Sequence, residues 1–166
     1  MTMDGILKEQ LLLNELRSRG LTFAAAESCT GGLIAKRITD LSGASAVFRG
    51  GVVSYTNDVK RDVLGVSQAL LDAHGAVSAP VARAMAQGVR RIAGADLAVS
   101  VTGVAGPDRD DRGNEVGTVY LGVSSAQGTS VTLFHFEGDR AAIRSAAADA
   151  AFHLLLQALN EHYPTN

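Results

Sequence analysis

The stretch Phe23-Ala24-Ala25-Ala26-Glu27-Ser28-Cys29-Thr30-Gly31-Gly32-Leu33-Ile34-Ala35-Lys36 decides the fold. Leu21–Ala26 is a short apolar run, the length of a strand buried on both faces. Two glycines then lead into Gly31–Asp40, where Leu33, Ile34 and Ile38 recur at helical spacing. A strand that passes through a small-residue turn into a helix is the repeating step of an α/β protein. Such a turn leaves backbone N–H groups unpaired, and its glycines let another group approach the main chain.

Working outward, Ile6–Arg19 reads as an amphipathic helix with Leu7, Leu11, Leu12 and Leu16 on one side, stopped by Gly20. Ala46–Tyr55 reads as a strand whose Gly50-Gly51 predicts a bulge or a close backbone approach. Asn57 is expected to cap a helix to Leu64, and Ser67 another to Ala73. Ser78 opens a helix to Ala93 with Pro80 in its first turn. Asp96–Thr102 is an apolar strand, and Gly103–Glu115 a polar loop. Val116–Ser124 and Thr129–Phe136 are strands of a hairpin joined by Ser125-Ala126-Gln127-Gly128. Asp139 caps a last helix to Asn160, with Ile143, Ala147, Ala150, Leu154 and Ala158 as its stripe. The alternation predicts a single domain over residues 1–166, a three-layer α/β/α sandwich with a mixed central sheet. Strand order is not readable from pattern.

The 166 residues are 46% hydrophobic and 19% charged, which supplies a core and excludes wholesale disorder. Fifteen Lys+Arg against seventeen Asp+Glu leave a formal charge of −2, no field to gather nucleic acid or an anionic membrane. No apolar run reaches the roughly 18 residues of a membrane span. Met1-Thr2-Met3-Asp4-Gly5 carries an acid where a secretory signal carries base, so a cytoplasmic protein is expected. Cys29 stands alone, and no Cys/His spacing suits zinc.

Two turns that follow strands hold candidate chemistry. In the first, Ser28 lies beside Thr30, Gly31 and Gly32, a place that suits a nucleophile next to donors for an oxyanion. The competing reading is that Ser28 or Thr30 only caps the helix. Cys29 is a rival nucleophile that lacks an evident His partner, and it ranks below Ser28. Lys60, near the start of the next helix, would serve as base if its amine were neutral; a solvated surface lysine is the alternative. Tyr55 ends the neighbouring strand. The second turn, Thr102-Gly103-Val104-Ala105-Gly106-Pro107, is neither a Walker A loop nor a dinucleotide fingerprint. Arg140 and Arg144, one helical turn apart, would clamp a phosphate or form a charged surface.

Together these segments resemble one family. Ala26–Gly32, Gly50–Asn57, His74-Gly75-Ala76-Val77-Ser78, Thr102–Pro107 and Val116-Gly117-Thr118-Val119-Tyr120 are similar to the hallmarks of the C-terminal domain of the competence/damage-inducible CinA family. They come in that family's order and at its spacing, over about residues 7–160. The expectation is the stand-alone form, without the molybdopterin-binding-like domain of full-length members. The resemblance implies hydrolysis of the carboxamide of nicotinamide mononucleotide (NMN) to nicotinate mononucleotide and ammonia. It implies a Ser/Lys amidohydrolase with no cofactor, no obligatory metal and a homodimeric assembly. Carried over, Ser28 matches the nucleophile and Lys60 the base, with Tyr55 beside them. Glu27, Thr30, Gly31, Gly32, Thr102 and Gly103 match substrate-binding positions, and Arg144 the place of a phosphate-binding arginine. One departure is Asp108–Glu115, more charged than the glycine-rich stretch the family has there. The competing functions are a non-catalytic nucleotide- or partner-binding module, and an amidohydrolase for another amide.

Overall fold

The computed structural model describes residues 7–165, so Met1–Gly5, the expected absence of a signal and the helical start at Ile6 lie outside the described residues. In chain order the elements are α1 (Lys8–Arg19), β1 (Phe23–Glu27), α2 (Leu33–Thr39), β2 (Phe48–Val53), α3 (Asn57–Asp62), α4 (Gln68–His74), α5 (Ala79–Ala93), β3 (Leu97–Gly103), β4 (Thr118–Ser125), β5 (Gly128–His135) and α6 (Arg140–His162). A one-turn 3₁₀ helix, Ala44–Ala46, precedes β2.

The sheet runs β2-β1-β3-β4-β5. Strands β2, β1 and β3 are parallel, and β4 and β5 turn back antiparallel. The sheet is therefore mixed, as the helix–strand alternation and the late hairpin require. Side chains alternate across it. Phe23, Ala25, Val99 and Val101 join the core beneath α1, α2 and α6. Ala24, Ala26 and Ala98 join Leu71, Val81, Met85 and Val89 on the other face. Three layers result, with α5 packed on one face of the sheet, α6 and α2 on the other, and α1 and α4 lying against those helices.

Local chemistry sets most boundaries. Ser67 Oγ accepts from the Leu70 N–H at 3.1 Å, and Asp139 Oδ1 from the Ala142 N–H at 2.9 Å, so both cap as expected. The cap of α3 is Thr56, not Asn57: Thr56 Oγ1 accepts from the Val59 N–H while Asn57 is already helical. At Gly50 the pairing of β1 with β2 skips Arg49, and Gly51 lies against the Ala25 carbonyl, where a Cβ would come within 3.0 Å. Both a bulge and a close approach are present.

Two helical stripes shift. In α1 the buried face is Glu9, Leu12, Leu13 and Leu16, and Leu7 is exposed. In α6 it is Ile143, Ala147, Ala148, Ala151, Phe152, Leu155, Ala158 and Leu159, with Ala150 and Leu154 half-buried. A long helix wedged between the sheet and two other helices buries a broader arc than one line of residues. The Arg37 guanidinium ties these helices together, meeting the buried Glu9 carboxylate with two hydrogen bonds of 2.9 Å and Asp149 at 2.8 Å.

Candidate active site

All three parallel strands end at the same edge of the sheet. In the order 2-1-3 the chain passes from β1 outward to β2 and then back across β1 to β3, which opens a crevice at the carboxyl ends of β1 and β3. Ser28 follows β1 there, Ser54 and Tyr55 follow β2, and Thr102 and Gly103 end β3. Ser28, Tyr55, Thr102 and Gly103, together with Cys29, Asn57, Lys60, Gly106, Asp108 and Arg140, line a cleft of about 250 Å³, and Ser54 is buried behind it.

The turn after β1 is held from both sides. The Ser28 N–H donates to the Val101 carbonyl at 3.0 Å, and the Glu27 carbonyl accepts from the Ser54 N–H at 2.8 Å. The main chain then turns through Gly31 and Gly32 at φ of 59° and 103°, values that L side chains rarely adopt. Ser28 is 8% exposed, at the floor of the cleft.

Lys60 reaches it from α3. Its Nζ lies 3.0 Å from Ser28 Oγ and donates to the Ser54 carbonyl at 2.7 Å. The side chain is 1% exposed, and no carboxylate pairs with it among the described residues. Burial penalises the ammonium and lowers its pKa to about 8, with Cys29 opposing the shift. Asp58, the neighbour in sequence, points into solvent and pairs with Arg61 at 3.4 Å. Desolvation is the leading cause of the lowered basicity. The same burial pushes the Cys29 thiol up to about 11, with its own backbone N–H, Lys60 and Arg144 opposing, so near neutral pH it is a thiol.

Of the residues singled out from sequence, Ser28, Cys29, Lys60, Tyr55, Thr102, Gly103 and Arg140 line the cleft. Tyr55 is exposed at the rim, its hydroxyl accepting from Arg140 at 3.1 Å. Thr102 Oγ1 donates to the Ala76 carbonyl at 2.8 Å. The remainder sit behind or beside the turn. Glu27 is 1% exposed, and its carboxylate accepts from the Ile34 and Ala35 N–H groups at 2.8 and 3.1 Å. That corrects its expected place against substrate: it satisfies two N–H groups in the first turn of α2 that have no partner within the helix. Arg144 is likewise turned away from the cleft, donating from Nε to the Cys29 carbonyl at 3.0 Å and from Nη2 to the Thr30 carbonyl at 2.9 Å. Thr30 is fully buried, and its Oγ1 has no partner.

Donors for an oxyanion are correspondingly fewer than the sequence suggests. The Gly31 N–H is taken by the Ser28 carbonyl at 3.0 Å and the Leu33 N–H by the Thr30 carbonyl at 3.1 Å. Among the described residues the N–H groups of Cys29, Thr30 and Gly32 have no acceptor.

The charged stretch 108–115 is ordered by its own charges. Asp110 accepts from the N–H groups of Arg112 and Asn114 and from the Asn114 side chain. Arg112 reaches the Leu71 and Asp72 carbonyls at the end of α4. Arg140 holds the start of the loop through the Gly106 carbonyl at 2.7 Å. The sequence pairs Arg140 with Arg144, and the resemblance gives the phosphate to Arg144, but it is Arg140 that lines the cleft. The Ser54 carbonyl that seats Lys60 is main chain and has no sequence signal at all.

A sequence profile described as the CinA C-terminal domain matches residues 7–159. A CinA-like protein of Geobacter sulfurreducens is 55% identical over 143 residues, 86% of this chain and 35% of that protein. The chain thus spans about a third of the length of the curated relatives it matches. Among solved structures, a competence/damage inducible protein from Agrobacterium tumefaciens superposes with a TM-score of 0.87 at 38% identity, over 90% of this chain and 92% of that one. A CinA superfamily protein from Klebsiella pneumoniae gives 0.90 at 31% identity, over 94% and 99%.

Proposed function

This chain belongs to the CinA C-terminal domain family, and from that premise we propose that it is a serine amidohydrolase that converts NMN to nicotinate mononucleotide and ammonia. The observation that carries the reading is the 3.0 Å approach of a buried, unpaired Lys60 amine to Ser28 Oγ. An ammonium left without a counter-ion in a buried site is costly. A neutral amine there costs less and is competent to take a proton.

In this mechanism the Ser28 hydroxyl loses its proton to Lys60 Nζ as Oγ attacks the carboxamide carbon. The tetrahedral oxyanion accepts from the free N–H groups of the Cys29–Thr30 segment. While charged, Lys60 is steadied by the Ser54 carbonyl. The ammonium then returns its proton to the departing nitrogen, and ammonia leaves an acyl-Ser28 ester. Water attacks that ester with Lys60 as base. Expulsion of Ser28 Oγ, reprotonated by Lys60, releases the carboxylate product. Arg140, the guanidinium on the cleft wall, is the group we assign to the nucleotide phosphate, in exchange for its contacts with Tyr55 and Gly106.

A coupled assay of ammonia release from NMN, with nicotinamide and simple amides as comparators, tests the reading. Release from none of them would overturn it in favour of a binding module. Release from another amide alone would overturn the substrate.

The lowered basicity of Lys60 dictates a pH dependence. Since the base must be unprotonated, kcat/KM is expected to rise tenfold per pH unit below about 8 and to level off above it. A flat profile between pH 6 and 8 would rule out Lys60 as the base in the free enzyme. We extend the reading to a homodimer, as the family resemblance implies. Light scattering is then expected to return twice the 17.2 kDa of one chain, and a single-chain mass would remove that part.

A further inference from the structure

Arg144 is expected from sequence to hold a phosphate, yet its guanidinium is spent on the turn that carries Ser28. Nε and Nη2 grip two successive carbonyls, Cys29 and Thr30, at 3.0 and 2.9 Å. Gly31 makes room for this grip, since a Cβ there would lie 3.3 Å from Nη2. Arg140, not Arg144, lines the cleft.

A peptide unit is planar, with its C=O and N–H pointing in opposite directions. Drawing the Cys29 carbonyl toward Arg144 therefore turns the Thr30 N–H the other way. That N–H is without an acceptor among the described residues, whereas the next one along, Gly31, is taken by the Ser28 carbonyl. A charged donor on the carbonyl also polarises the peptide and strengthens its N–H as a donor.

Resting on the Ser28 reading above, we infer that Arg144 is a positioning residue: it holds the Cys29–Thr30 peptide so that the Thr30 N–H meets the oxyanion, and it does not bind the phosphate. A flat fork that engages two carbonyls at once suits arginine and not lysine. Arg144→Lys should therefore lose most of the effect although it keeps the charge.

The test compares wild type, Arg144→Lys and Arg144→Gln on NMN and on nicotinamide riboside, which carries the same amide without the phosphate. Expected is a fall in kcat of about a hundredfold, the scale of one oxyanion donor. It should be equal for both substrates, with KM kept within about threefold and the pH inflection unmoved. A rise in KM for NMN with kcat preserved, and loss of the preference for NMN over the riboside, would show a phosphate contact and overturn the inference. A second readout needs no amide: the rate at which a fluorophosphonate labels Ser28, followed by intact mass. Labelling of the variants is expected to slow by a similar factor, and an unchanged rate overturns the inference. Wild type that is labelled but leaves NMN intact removes only the substrate, and the labelling rates still decide the role of Arg144. Wild type inert to both reagents removes the Ser28 reading and this inference with it. Thermal melts separate a folding loss; should Arg144→Gln not fold, Arg144→Lys carries the comparison.

Discussion

Ser28→Ala is expected to lower ammonia release from NMN by about 10⁴-fold or more, the scale on which removal of an acyl-enzyme nucleophile acts. The loss should be chemical rather than structural. The Ser28 N–H and carbonyl are held by Val101 and Gly31 through the main chain, and these contacts survive the substitution. The side chain has a single partner, Lys60 Nζ, which keeps its bond to the Ser54 carbonyl. Stability should change by about 1 kcal/mol or less. NMN binding, followed by calorimetry, should persist with turnover absent. Retention of more than a tenth of wild-type turnover would show that another group attacks the amide. The neighbouring Cys29 is a poor substitute, its thiol held protonated by burial.

Lys60→Met should be as damaging to turnover, again about 10⁴-fold, and it carries an opposite signature in stability. The folded pKa of about 8 lies below the 10.5 of an ordinary lysine because the fold penalises the charged form. Between these values the unfolded chain binds a proton that the folded chain releases, so wild-type stability rises with pH across that window. Below pH 8 the full penalty applies, about 3 kcal/mol from the difference in pKa. Methionine fills similar volume without charge, at the cost of leaving the Ser54 carbonyl without its donor, about 1–3 kcal/mol. The variant should therefore melt no lower than wild type at pH 7. It should lose ground relative to wild type as pH climbs from 8 toward 10.5. Chemical denaturation at several pH values measures this, and a pH-independent loss of stability would show that the lysine is not a desolvated base. Lys60→Arg should be equally inactive, because a guanidinium stays protonated throughout this range.

The elements were legible because their signals are local. The apolar run Leu21–Ala26, the caps Ser67 and Asp139, and the turn before Gly128 each act within a few residues. The exceptions are instructive. Thr56 rather than Asn57 caps α3 because adjacent hydroxyl and amide side chains compete for one role, and the path of the chain out of β2 chooses between them. The buried stripe of α6 departs from a single line of residues because its width depends on what packs against it.

The candidate site was legible in its residue types and illegible in its contacts. Ser28 and Lys60 are 32 residues apart, and what joins them is the parallel pairing of β1 with β2, which no residue type announces. In the sequence Glu27 borders a conspicuous turn and Arg144 sits one helical turn from Arg140, the usual look of ligand contacts. In the fold the carboxylate takes the N–H groups of α2, and the guanidinium takes the carbonyls of Cys29 and Thr30.

What the amino-acid order determined by itself was the alternation of strand and helix, the small-residue turn after β1, and the presence of a hydroxyl, an amine and two arginines to work with. Only the tertiary structure decided which of them meet. It brought Lys60 out of water and onto Ser28 and the Ser54 carbonyl, left Arg140 in the cleft, and sent Arg144 behind the turn. The physical reason is that most of these side chains are seated by main-chain oxygens. Every residue carries the same carbonyl, so its availability is set by how the chain packs and not by which side chain it bears.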